Sequence, residues 1–187
     1  MKKLLLLLFI SLGLISPANA NSIKGAFGYN LGEVYKTSDN GKNFHNYIPK
    51  TSYPDLDKYT VATTLTDKRI FRIIALTRKD SHTSNACRKG SYLPFRKLLN
   101  LLQNKYGQFK KALDEKSEYL DWVYEKVEYV YEDEDRYIYL SCSTGYENGI
   151  GTYILNLEYV DSTLWSQWRE EDFEKRQKED SGLLLIL

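Results

Sequence analysis

The longest β-rich stretch of the chain, residues 119–160, reads YLDWVYEKVEYVYEDEDRYIYLSCSTGYENGIGTYILNLEYV. Valine, isoleucine, leucine and tyrosine alternate with polar residues over most of it, which is the period of a strand that buries one face. The acidic run 132–135 and the glycine-containing run 145–151 interrupt this alternation and indicate turns. The stretch therefore predicts a three-stranded antiparallel meander.

A pair of strands is also predicted earlier in the chain. Apolar and polar residues alternate from Lys58 to Leu65, and residues 66–68 are suited to a turn. The segment 69–76 then carries apolar residues on both faces, for example Ile73 and Ile74, which is typical of a central strand. We expect these two strands to form a hairpin.

Two helices are expected beside the strands. The first has Pro94 in its first turn, Gly107 at a left-handed end and an apolar stripe of Phe95, Leu98, Leu99, Leu102 and Tyr106. The second begins near Thr163 after Asp161 or Ser162 as the capping residue.

The predicted fold class is α+β. Residues 21–187 are expected to form a single α+β domain, whose antiparallel sheet consists of the hairpin and the three-stranded meander. The amphipathic helix packs on this sheet, and a C-terminal helix ends the domain.

The first twenty residues have the pattern of a secretory signal peptide. Lys2 and Lys3 precede the apolar run 4–15, and Ala18-Asn19-Ala20 places small residues where a signal peptidase cleaves. The apolar run is shorter than the roughly 20 residues that a membrane-spanning helix needs. We therefore expect cleavage after Ala20, export, and no transmembrane segment in the mature chain.

The charge balance argues against a nucleic-acid partner. Loss of residues 1–20, which contain two lysines and no acid, would change the net charge from +1 to −1. Proteins that bind nucleic acid concentrate positive charge on one surface, which this composition does not favour.

The two cysteines, Cys87 and Cys142, are predicted to form a disulfide, because export leads to an oxidising compartment. The alternative is two free thiols, one of them a nucleophile served by His45 or His82. Neither histidine lies in a cysteine-hydrolase signature, and the pair lacks the spacing of a zinc site. We expect no metal and no cofactor.

No common hydrolase motif occurs in the chain, neither G-x-S-x-G, S-x-x-K nor H-E-x-x-H. A pair of carboxylates for glycoside hydrolysis would leave no signature in the sequence, because the two groups meet only in space. The protein is predicted not to be an enzyme, with a hydrolase that uses an unrecognised carboxylate pair as the third alternative.

Tyrosine is abundant, with sixteen copies in the chain. Tyr137 and Tyr139 alternate with Ile138 and Leu140, so they are expected on the opposite and more exposed face of the sheet. The other interpretation is cross-strand pairing that only stabilises the sheet. The candidate contact surface comprises Tyr137, Tyr139, Tyr153, Trp165 and Trp168.

Three segments resemble small exported proteins of Gram-negative bacteria that have no assigned activity. They are IKGAFGYNLG at 23–32, the KYG ending of the leucine-rich helix at 105–107 and LNLEYVD at 155–161. The resemblance extends to a layout LG…C…KYG…C over most of the mature chain. It implies a periplasmic location and no catalytic residues.

The leading functional hypothesis is a periplasmic, non-enzymatic interaction module that binds an envelope or secreted protein, with an inhibitor-like or immunity-like role in the same class. The alternative is a module that binds glycan or peptidoglycan through exposed tyrosine and tryptophan rings. The apolar segment Leu183–Leu187 is expected either to fold back on the core or to dock on a partner.

Overall fold

The computed structural model describes residues 21–36, 42–81, 87, 93–119, 122–147 and 150–184. The predicted signal peptide and residues 185–187 lie outside these ranges. The strands and helices are, in chain order, β1 (Gly25–Ala26), β2 (Tyr29–Asn30), β3 (Phe44–Tyr47), β4 (Lys58–Thr63), β5 (Ile70–Ser81), α1 (Leu93–Tyr106), β6 (Lys110–Tyr119), β7 (Trp122–Asp133), β8 (Arg136–Glu147), β9 (Ile150–Asp161) and α2 (Ser162–Leu184).

Seven of the strands form one antiparallel sheet in the order β3-β4-β5-β9-β8-β7-β6, and β1 and β2 form a separate hairpin. The predicted fold class, with its hairpin and three-stranded meander, is therefore wrong: the described chain is mainly β. The β4–β5 hairpin and the β7–β9 meander are halves of one sheet, because β5 pairs with β9 from Arg72–Val160 to Ser81–Gly151. Joining them satisfies the backbone groups along two edges that would otherwise be open.

The strand β6 was missed in the sequence because it reads KKALDEKSEY, with few apolar residues and many charges. Its position at the edge of the sheet explains this composition. Charged side chains on an edge strand discourage pairing with other molecules, and an edge strand has little surface to bury. The strand β3 forms the other edge.

The helix α1 has the ends that the sequence predicts. Pro94 lies in its first turn, and Gly107 follows it with a φ of +110°, where its N–H donates to the carbonyl oxygen of Gln103 at 2.9 Å. The apolar stripe of the helix packs on one face of the sheet, in a cluster that includes Leu140 and Leu157.

The helix α2 begins directly after β9, where Asp161 caps it. The Leu164 N–H donates to Asp161 Oδ1 at 3.0 Å, and Leu164 packs with Ala62 and Phe71 in a second, smaller cluster. These two residues lie at one corner of the sheet, so α2 covers only that corner among the described residues. No helix in the described ranges is long and apolar enough to cross a membrane.

The predicted disulfide between Cys87 and Cys142 is confirmed, with Cα atoms 5.6 Å apart. Cys142 lies on β8 among the buried residues of the face that α1 covers, and Cys87 is buried beside it. The bridge therefore fastens the chain just before α1 to the centre of the sheet.

We expect Cys87→Ser to lower the free energy of unfolding by on the order of 4 kcal/mol, because the bridge joins residues 55 positions apart. For a domain of this size the melting temperature would fall by roughly 8–16 °C. Thermal unfolding followed by circular dichroism would measure this, with reductant as the control that brings both proteins to the same temperature. Equal melting temperatures without reductant would contradict the structural role of the bridge.

Candidate partner-binding surface

The side of the large sheet opposite α1, here called the open face, carries a shallow groove of about 550 Å³. Its floor comes from alternate residues of β5, β9 and β8, whose intervening residues point into the core. Outside the corner under α2, no helix of the described chain covers this face. The groove therefore remains accessible to a partner in the part of the chain that the structure describes.

Three half-buried aliphatic side chains, Ile74, Leu76 and Ile154, form the apolar part of the groove. Ile74 and Leu76 lie on β5. Ile154 lies on β9 and pairs with Arg78 of β5, which is two residues after Leu76 and on the same face of the sheet. The three side chains therefore form one continuous strip on the open face.

An ion pair between Arg72 and Glu158 borders this strip. Arg72 Nε donates to Glu158 Oε2 at 2.8 Å, and Arg72 Nη2 lies 2.5 Å from the same oxygen. The second oxygen, Oε1, accepts a hydrogen bond from Asn156 Nδ2 at 2.7 Å. The Glu158 carboxylate thus has a charged donor on one oxygen and a neutral donor on the other.

A second polar cluster lies across β8 from the first. Lys126 Nζ and the Tyr139 hydroxyl both contact Glu128 Oε1. Burial would raise the pKa of Glu128, but the hydrogen bonds from Lys126 and Tyr139 outweigh it and hold this pKa below its usual value. The hydrogen bond to Glu128 raises the pKa of Lys126 in return.

Both groove tyrosines keep their protons at neutral pH. Burial raises the pKa of Tyr139, and its hydrogen bond to Glu128 raises it further. Burial also raises the pKa of Tyr137, with a further increase from the Glu158 carboxylate and an opposing effect from Arg72. These shifts, like those of Lys126 and Glu128, move the pKa of each group further from 7. A general acid or base that works near pH 7 has the opposite kind of shift.

The two groove carboxylates do not form a facing pair. Glu158 pairs in register with Tyr139, and Glu128 pairs with Ser141, so they flank β8 on opposite sides. Each accepts hydrogen bonds from its own neighbours, which leaves neither aimed at a shared point.

The predicted contact residues fall into three places. Tyr137 and Tyr139 lie half-buried on the open face, on the side of β8 expected from the alternation. Tyr153 is only 2% exposed and lies in the core, because it shares the parity of Leu155 and Leu157 on β9. As part of an exposed contact surface, Tyr153 is therefore a wrong choice.

Trp165 and Trp168 lie at the base of α2 rather than in the groove. The Trp168 ring stacks on Phe71 with centroids 5.3 Å apart, and the Arg169 guanidinium lies 5.7 Å from the centre of the Trp165 ring. Both tryptophans are half-buried and pack against the small cluster that anchors the helix. Their first role is to hold α2 on the sheet.

The aliphatic strip and the ion pairs were not among the predicted contact residues. The apolar residues on both faces of β5 were the available signal, since each face needs a cover and α1 can cover only one. The pairing of Arg72 with Glu158 spans 86 positions and has no local signal.

One of the two histidines lies in the described part of the chain. His45 is buried with its ring against Tyr35, at a centroid distance of 4.7 Å, and His82 lies outside the described residues. Within the described ranges, no group of three or more histidine, cysteine, aspartate or glutamate residues is placed to hold a metal ion.

Comparison of the chain with known proteins found no relative: no family model matches it, and no curated protein is significantly similar to it.

We expect Glu128→Gln to lower the free energy of unfolding by about 1 kcal/mol at pH 7, because Lys126 and Tyr139 then donate to a neutral amide oxygen instead of an ionised carboxylate. The native state holds the Glu128 pKa below 4.5, so this stabilisation is present above about pH 4.5 and disappears as the pH falls through the lower native value. Urea unfolding of wild type and variant between pH 7 and pH 3 would measure the difference.

Glu118→Gln is the matched control, since Glu118 pairs with Lys116 on the exposed edge strand and such pairs contribute little. A difference between Glu128→Gln and wild type that stays constant down to pH 3 would contradict the assigned cause.

Proposed function

We propose that the protein is a non-enzymatic interaction module that binds another envelope or secreted protein through its open face. The observation that carries this proposal is the strip of Ile74, Leu76 and Ile154, which the described chain leaves partly exposed on a sheet. Tyrosines and charged side chains surround the strip. An apolar centre with a polar rim is the usual anatomy of a protein–protein interface. An inhibitor-like or immunity-like role belongs to this class.

The place of action that we propose is the periplasm. A signal peptide cleaved after Ala20 would deliver the chain there, and the Cys87–Cys142 disulfide is compatible with an oxidising compartment. The resemblance to small exported proteins of Gram-negative bacteria points to the same location.

A protein partner suits the open face better than a glycan. Sugar-binding surfaces present aromatic ring faces on which the sugar stacks, whereas Tyr137 and Tyr139 are half-buried and the Tyr139 hydroxyl already binds Glu128. The aliphatic strip offers a sugar little, but it can bury apolar side chains of a protein.

Tagged protein comprising residues 21–187 would test the proposal in a pull-down from envelope extract. We expect Ile74→Asp and Leu76→Asp each to reduce retention of the captured protein at least tenfold, because each places an unpaired charge in the buried centre of the interface. Quantitative mass spectrometry of the retained proteins would measure the reduction.

Ile48→Asp is the matched control, since Ile48 is 96% exposed and does not line the groove. Circular dichroism would establish that all variants are folded. Retention that both open-face variants leave unchanged would contradict the proposal, and co-sedimentation of the protein with peptidoglycan, lost in the same variants, would favour the glycan alternative.

A further inference from the structure

We infer that the segment bound in the open-face groove is an acidic stretch of polypeptide whose carboxylates are received by Arg72 and Lys126. This inference rests on the proposed function and specifies the chemistry of the partner. It follows from how the four charged residues of the two groove clusters are arranged relative to solvent.

In both ion pairs the cation is the more accessible member. The Arg72 side chain is 33% exposed and that of Glu158 is 10% exposed. The corresponding values are 31% for Lys126 and 15% for Glu128. The negative charges therefore lie deeper in the surface, and an approaching molecule meets the positive ends of both pairs first.

Arg72 and Lys126 also keep N–H donors that their ion pairs do not use. Asn156 and Tyr139 each supply a neutral donor to one of the two carboxylates, in addition to the donor from the cation. Arg72 uses Nε and Nη2 on Glu158, so its Nη1 group takes no part in that pair. Lys126 carries three donors, and its described bond uses one of them. Both cations can therefore donate to a further carboxylate. The planar guanidinium of Arg72 offers the parallel N–H groups that carboxylates bind best.

The spacing of the two cations suggests an extended segment. Arg72 on β5 lies beside Val160 of β9. Lys126 on β7 lies beside Ser143 of β8, which in turn lies beside Ile154 of β9. The two cations are therefore offset by six residues along β9. Three strand spacings and six residues of rise place them about 25 Å apart on opposite corners of the groove. An extended peptide covers that distance in about seven residues.

The surface between the two cations determines what the rest of the segment must be. The aliphatic strip, Tyr137 and Ser141 lie there, so the partner needs apolar or small side chains between its acids. The outer rim of the same face carries both signs of charge, including Lys58 and Arg78 against Asp80 and Glu115. Each groove cation is paired with a carboxylate, and Lys126 also lies opposite Glu115 on β6, so the preference for an acidic segment rests on the greater exposure of Arg72 and Lys126 and not on a net positive charge.

A display library of random decapeptides, selected on immobilised protein of residues 21–187, is a suitable probe. Peptides retained by wild type but not by the uncharged variant Ile74→Asn are the groove-binding set, because this variant disrupts the aliphatic strip without repelling acidic peptides. We expect this set to be enriched in aspartate and glutamate near both ends, and we expect the affinity of its best member to fall at least tenfold between 20 and 300 mM NaCl.

Arg72→Gln and Lys126→Gln should each weaken binding of that peptide at least threefold in fluorescence anisotropy, and the double variant at least tenfold. Lys116→Gln is the control, because Lys116 is also paired with a glutamate but lies on the edge strand. The salt dependence of wild type is independent of these variants and decides the question if either one fails to fold.

The outcomes separate the inference from the proposed function. A groove-binding set without acidic enrichment, or with basic enrichment, would overturn the inference and leave the protein-binding function standing. Absence of any peptide that depends on Ile74 would count against both. Displacement of the selected peptide by inorganic polyphosphate as effectively as by polyglutamate would show a general anion site and would also overturn the inference.

Discussion

The pairing of β5 with β9 joins the two halves of the chain, and the remaining architecture depends on it. Ten consecutive register pairs, from Arg72–Val160 to Ser81–Gly151, connect a hairpin from the first half to a meander from the second. The open-face groove exists only because of this seam, since Ile74 and Leu76 come from one side of it and Ile154 and Glu158 from the other. Arg72 and Glu158 form their ion pair across the same seam.

The two faces of the joined sheet have different environments. One face is covered by α1 and fastened by the disulfide, and it holds the fully buried residues Ile138, Leu140 and Leu155. The open face has α2 at one corner, and the aliphatic side chains of its groove are only half-buried. Fully burying an isoleucine or leucine contributes roughly 1.5–3 kcal/mol, so a partner that completes the burial of three half-exposed residues gains a few kcal/mol. Association itself costs at least about 4 kcal/mol, so a partner in the proposed complex needs polar contacts around the strip as well.

Local sequence patterns predicted the features that neighbouring residues determine, namely the ends of a helix and the faces of a strand. The start and end of α1 follow from Pro94 and Gly107, and the alternation along β8 correctly separates Tyr139 from Leu140. Tyr153 was predicted in the contact surface because of its residue type, whereas the alternation along β9 places it with Leu155 and Leu157 in the core. Pairings between distant strands have no such signal. The β5–β9 seam and the charged edge strand β6 were therefore missed, and with them the composition of the groove.

The ion pairs on the open face have a physical role even in the unbound protein. A sheet face composed only of Ile74, Leu76, Ile154 and tyrosines would be an apolar patch that associates with any similar surface. Glu128 and Glu158, each held by two donors, place charges beside the strip that an unmatched apolar surface would have to desolvate without compensation. Partly exposed charge pairs add little net stability, so we propose that their value here is discrimination between partners. In the proposed complex, a partner that supplies carboxylates gives acceptors to the remaining N–H donors of Arg72 and Lys126, and a partner that lacks them removes those donors from water without a replacement. Under the proposed function, the polar clusters would therefore determine which partners can bury the apolar strip.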